Sequence, residues 1–157
     1  MRRKDREIIE FEKVISIIDA CECCRLGLVD DNEAYIVPMN FGYEVINDTI
    51  TLYFHCARKG RKIDILSKQR KGSFEMDTKH YLMEGQIGCD FSYLYQCVIG
   101  KGKIELLDSE EEKLYGLQQI MKHYTKKDNW NYESKMVDMI YVLKFLVEEW
   151  SCKEHRA

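Results

Sequence analysis

The residues with the most chemistry in this chain sit around one glycine. Arg58, Lys59, Arg61 and Lys62 place four cations within five positions around Gly60. Just upstream, Leu52-Tyr53-Phe54-His55-Cys56 alternates like the end of a strand, and just downstream Ile63 and Leu66 are spaced like the start of a helix. A helix start presents unbonded amides with partial positive charge, which can hold an anion. Glycine lets a backbone approach closely. Side-chain cations in a first helical turn oppose the helix dipole, at about 0.3–1 kcal/mol each. A bound phosphate would reverse that penalty through charge-assisted hydrogen bonds from Arg61 and Lys62. The spacing leaves two readings open, a phosphate site and a solvated basic turn.

Pro38 lies inside a strand-like run and brings no backbone donor, so it marks an edge, a bulge or a strand leaving its ladder. Backbone groups near Met39 and Asn40 are then free to face either a ligand's polar rim or solvent. His55 at a strand end reads first as a partly buried, hydrogen-bonded side chain. Metal binding would need partners, and His80, His123 and His155 have no ligand spacing with it. Hydrolase chemistry has little support, since G-x-S-x-G is missing and Cys56 points to the opposite strand face from His55. With neither G-x-G-x-x-G nor a Walker loop, a dinucleotide or nucleoside-triphosphate domain is not expected.

These residues need elements to position them. The period of Ile8, Phe11, Ile15 and Ile18 predicts a helix over about 5–20. Short strands follow at 25–29, 34–43 and 49–56, with turns at Asp30-Asp31-Asn32 and Asn47-Asp48. A helix at 59–68, a strand at 72–77 and a loop at 83–90 come next. A long ribbon at 91–107 is bent near Gly100 and Gly102. Ser109 and Glu112 form a capping-box pattern for a helix with Leu114, Leu117, Met121 and Tyr124 as its apolar stripe. The tail from Met136 to Trp150 fits a helix and a buried strand equally well. Six or so strands with two or three helices make a mainly β, α+β fold, and close antiparallel hairpins favour a small barrel.

Composition bounds the rest. A chain of 157 residues with 45% hydrophobic and 32% charged residues is one ordered domain's worth, expected to span 1–157. It contains no window of about 18 uncharged apolar residues, so no membrane span is expected, and its charged start is unlike a secretory signal. A net charge of −3 offers no basic footprint for nucleic acid. Seven cysteines, an odd count, point to reduced thiols and a cytoplasmic setting. Cys21, Cys23 and Cys24 cluster without a second zinc knuckle, so they read as small hydrophobes and no metal is expected.

Several motifs together resemble one family. They are Arg2-Arg3-Lys4-Asp5-Arg6-Glu7, Cys24-Arg25-Leu26-Gly27, Tyr35 to Tyr43, Leu52 to Ala57, Gly60 to Leu66, Phe74-Glu75-Met76-Asp77 and Val98 to Lys103. In order and across most of the chain, they resemble the pyridoxamine-phosphate-oxidase-like flavoproteins, in their nitroimidazole-resistance (NimA-like) branch. The resemblance implies a six-stranded antiparallel split β-barrel with flanking helices, a homodimer with FMN at its interface, and a strand over about 139–150. It implies Arg61 and Lys62 as phosphate ligands, with Phe54, His55 and Cys56 lining the cofactor. Val37, Pro38, Met39 and Asn40 would meet the isoalloxazine edge, and Tyr95 and Cys97 would reach the flavin of the second subunit. His55 matches the branch's histidine beside the flavin, which makes it the candidate catalytic residue, for contacting a small-molecule substrate or supplying a proton. Two departures stand out. Ser67 to Gly72 replaces an asparagine–proline turn, and Ser151-Cys152-Lys153 replaces a threonine–glycine–lysine pattern. The implied activity is reduction of small electron-poor molecules such as nitroimidazole-type compounds. A flavin-binding electron carrier without turnover and a haem-binding split barrel are the alternatives.

Overall fold

The computed structural model describes residues 3–156. A 3-10 turn at Lys4–Arg6 leads into β1 (Glu7–Ile8), α1 (Phe11–Ala20), β2 (Cys24–Asp30), β3 (Glu33–Met39), β4 (Gly42–Ile46) and β5 (Thr49–Ala57). Then come α2 (Arg61–Lys68), β6 (Lys71–Met83), β7 (Ser92–Leu107), α3 (Glu110–Thr125), α4 (Ser134–Asp138) and β8 (Ile140–His155). The sheet runs β3-β2-β6-β7-β8-β5-β4, and β1 adds to β8. Every pairing is antiparallel.

The expected architecture, a mainly β split barrel with flanking helices, is the observed one. The strand count is corrected from six to eight. One expected strand, 34–43, is two: β3 pairs with β2 and β4 pairs with β5, at opposite ends of the sheet. Only Asn40 and Phe41 separate them. A sheet whose two edge strands are joined by two residues must curl on itself, and that join is the seam of the barrel. Pro38 sits next to it on the edge strand β3, where its missing donor costs no ladder bond on the free side.

Leu26, Leu52, Phe54, Phe74, Phe145 and the α1 residues Val14, Ile17 and Ile18 fill the barrel. Burying one such side chain is worth about 1.5–3 kcal/mol. Phe74 and Phe145 meet edge to face at 5.5 Å, a preferred aromatic geometry. A second cluster lies on the outer face of β5 and β8, where Tyr53, Val142 and Leu107 meet Leu117 and Ile120 of α3.

The remaining differences have physical causes. The first helix begins at Phe11, because residues 7–8 form β1 against Lys153 and Cys152. β6 continues six residues past the expected end at Asp77, through a bulge with Lys79 at φ 55°, and takes Met83 out of the expected loop. The bend expected near Gly100 and Gly102 is a register shift between Lys101 and Gly102. Asn47 and Asp48 turn with φ 49° and 59°, the pair of left-handed residues a tight hairpin requires. Ser109 caps α3, accepting from the Glu112 amide at 3.4 Å. The buried stripe of α3, however, is Lys113, Gly116, Leu117, Ile120 and His123, a rotation away from the expected one. Lys113 is buried there, donating to the Val137 carbonyl at 3.3 Å with Asp108 at 3.5 Å. The ambiguous tail is a strand from Ile140 onward, after a short α4 that takes in Met136 to Asp138, and it runs to His155, five residues beyond the expected end at Trp150.

The end of α3 closes the seam. His123 is buried, its Nε2–H donates to the Cys21 carbonyl at 2.8 Å, and its ring lies 4.4 Å from that of Phe41. Burial pushes its pKa below the ordinary value of 6.5. The folded state therefore disfavours the protonated ring more than the unfolded state does. This contribution is fully present above about pH 6.5 and is lost as pH falls through the lower folded value. Urea titrations at descending pH should show the wild type losing stability faster than His123→Gln below pH 6.5. Parallel curves would show that His123 carries none of that dependence.

Candidate cofactor site

β5 ends with Phe54 buried in the barrel, His55 exposed on the other face, and Cys56 half-buried. They lie opposite Leu143, Val142 and Tyr141 of β8. Arg58 then fixes the loop that follows. It donates to Asp108 at 2.7 Å and to the Asp138 carbonyl at 3.1 Å, and its guanidinium sits 4.3 Å over the Tyr141 ring. Arg58 is thus committed to the fold and is not a ligand candidate. Gly60 adopts φ 125°, which a side chain would strain, and caps α2 without any side-chain acceptor for the first-turn amides.

The two cations of that first turn part company. Arg61 turns to β2 and β3, donating to Asp30 at 2.8 Å with its guanidinium 4.9 Å over Tyr35. Lys62 reaches into the seam and donates to Met39 Sδ at 3.1 Å. A thioether is a weak acceptor, so this half-buried ammonium has a poor partner where a phosphate would be a strong one. The uncapped amides and the ammonium are together the donor set a phosphate-bearing group needs, and the residues present fit the phosphate of a flavin nucleotide on that ground.

Lys62 also faces the end of β5. Desolvation, and then the Lys62 charge, hold the His55 pKa below its usual value. His55 is therefore a neutral imidazole at pH 7, suited to hydrogen bonding rather than to giving up a proton from its charged form. Burial raises the Cys56 thiol, which is consequently protonated and unreactive.

Met39 is buried, Val37 half-buried, and Pro38 and Asn40 are exposed beside the seam. One chain thus gathers Val37 to Asn40, Phe54 to Cys56 and Lys62, with Arg61 at the margin. It does not gather Tyr95 and Cys97. Leu107 of β7 is level with Val142 and His55, whereas Cys97 is level with Lys153. That puts Tyr95 and Cys97 about 30–40 Å further along the strand. There Lys153 lies 5.3 Å over the Tyr95 ring, and Cys97, Ile99, Ser151 and Lys153 line a hollow of about 180 Å³. A larger groove of about 590 Å³ crosses the outer face of β2, β3 and β6, lined by Gly27, Leu28, Ile36 and Ser73 among others. Reasoning from sequence missed Asp30 as the partner of Arg61. Asp30 read only as the first residue of a turn, and nothing local signals a contact 31 positions away.

The model of the pyridoxamine 5'-phosphate oxidase family matches residues 10–154. The chain belongs to the pyridoxamine 5'-phosphate oxidase family. Among solved structures it is similar to a candidate 5-nitroimidazole antibiotic resistance protein of Bacteroides thetaiotaomicron VPI-5482. The identity is 34% over 94% of this chain and 86% of that one, with a TM-score of 0.82. It shares its fold with the flavocytochrome Anf3 of Azotobacter vinelandii (19% identity, 100% and 72% of the two chains, TM-score 0.81). It also shares it with an FAD-binding protein of Mesorhizobium loti (21% identity, 96% and 98%, TM-score 0.67). No curated protein matches the chain. Among the described residues of this family member, no helix is long and apolar enough to cross a membrane.

Proposed function

We propose that this chain is a cytoplasmic flavoprotein that binds FMN and reduces small electron-poor molecules such as nitroimidazole-type compounds. The observation that carries the reading is Lys62, held against Met39 at 3.1 Å over the uncapped start of α2 and beside His55. Family membership supports it, as do relatives named for nitroimidazole resistance and for flavin. The reading includes a homodimer in which the second copy brings Tyr95 and Cys97 to the cofactor. Exposed Val29, Ile36 and Ile99 give the outer face of the sheet apolar surface for that contact.

The residues divide the work. Lys62, with Arg61 and the first-turn amides of α2, holds the phosphate. Phe54 and Val37 shield the ring from water, and the backbone at Met39 and Asn40 meets its polar edge. When bound, the flavin supplies the electron pair. His55, neutral at pH 7, donates one N–H hydrogen bond to the substrate group that gains negative charge.

The absorption spectrum of the purified protein, loaded with FMN, tests the first half. A flavin spectrum without a haem Soret band is expected, and a colourless protein that takes up no FMN would reject the reading. Anaerobic reduction followed by a nitroimidazole tests the second. Replacing His55 by alanine, which removes the donor, should leave FMN bound and lower the reduction rate about 10²-fold. The wild-type rate should be flat above about pH 6.5 and change only as His55 becomes charged below it. An unaltered rate in His55→Ala would remove His55 from the chemistry.

A further inference from the structure

One buried amide at the seam of the barrel depends on a single oxygen atom. Phe41 is fully buried, and its amide lies between β3 and β4, where neither ladder supplies an acceptor. That amide donates to the Tyr124 hydroxyl at 3.2 Å, and the hydroxyl donates in turn to the Glu22 carbonyl at 2.7 Å. Three segments meet there: the β3–β4 join, the last turn of α3, and the link from α1 to β2. A hydroxyl can accept and donate at once, and phenylalanine can do neither. A buried amide left without its acceptor is costly, so the join would move to find another. Asn40 is bonded directly to Phe41, and Met39, which accepts from Lys62, is one residue further on. Any movement of Phe41 is therefore passed to the strip that flanks the candidate site.

We infer that Tyr124 is a positioning residue whose hydroxyl fixes the Pro38–Asn40 strip against the cofactor. This rests on the flavin reading above. Tyr124→Phe removes the one oxygen and keeps the ring. In the protein without flavin, hydrogen exchange at the Phe41 amide should accelerate at least tenfold, with amides of β7 and β8 unchanged. The FMN dissociation constant should rise about five- to tenfold, and the visible bands of the bound flavin should shift. Tyr124→para-aminophenylalanine, whose amino group can donate and accept, should recover both properties and replaces the first variant if that one fails to fold. Unchanged exchange at Phe41 would overturn the inference. So would accelerated exchange with unchanged FMN affinity and bands, which would make Tyr124 a clasp and nothing more. A wild type that takes up no FMN would overturn the flavin reading itself and the cofactor role of Tyr124 with it. A wild type that binds FMN as its Tyr124→Phe variant does would overturn the inference alone.

Discussion

Replacing Arg61 and Lys62 together by alanine is expected to weaken FMN binding by about 2–5 kcal/mol, roughly thirty- to several-thousand-fold. The two positions should not contribute equally. Arg61 already has a carboxylate partner in Asp30 at 2.8 Å, so a phosphate must share or displace that bond. Lys62 has only the Met39 sulfur, so a phosphate gains its full charge-assisted bond. Lys62→Ala should therefore account for most of the double variant's loss, and Arg61→Ala for less. Asp30→Asn, which frees Arg61, should tighten binding or leave it unchanged. Titration of FMN fluorescence gives all five constants, the wild type's included. Equal affinity in the wild type and the double variant would move the phosphate elsewhere in the molecule.

Gly42→Ala is expected to cost about 3 kcal/mol or more of stability, because packed backbone cannot yield as a side chain can. A Cβ at Gly42 would fall inside the van der Waals radii of backbone atoms of Gln119 and Ile120 on α3. The strand and the helix touch through their main chains at that point, immediately after the seam. For a domain of this size the loss corresponds to roughly 6–12 °C in Tm. Gly88→Ala is the matched control, since a Cβ there meets nothing within 4 Å. If the two variants melt together, the close approach of α3 to β4 is wrong.

Much of the candidate site's local geometry could be read from the chain because its logic is local. A strand end, a glycine and two cations at a helix start lie within ten residues, and the structure places them as that spacing implies. What separates Arg61 from Lys62 was not legible, because Asp30 and Met39 are brought to them by tertiary folding. The rotation of α3 was hidden for a chemical reason. Its inward face carries Lys113, Gly116 and His123, which a hydropathy pattern assigns to solvent, while Tyr124 carries its aromatic ring at the margin. The extension of β6 was hidden because Lys79 to Leu82 are exposed on both faces, and a strand buried on neither side leaves no alternation to read. The seam escaped for a related reason: residues 34–43 are extended throughout, and extension says nothing about which ladder each half joins. Family resemblance supplied what periodicity lacked in the tail, where β8 is a strand.

The position of β8 has a consequence for biosynthesis. It lies between β7 and β5 and also carries β1, yet its sequence follows all three. A nascent chain emerging from the ribosome can form the β2–β3, β4–β5 and β6–β7 hairpins, but the middle of the sheet stays vacant until residues 140–155 arrive. Until then β5 and β7 both present bare edges, which are templates for intermolecular pairing. Aggregation of ribosome-stalled or truncated chains, rather than of the finished protein, is where this topology is most exposed.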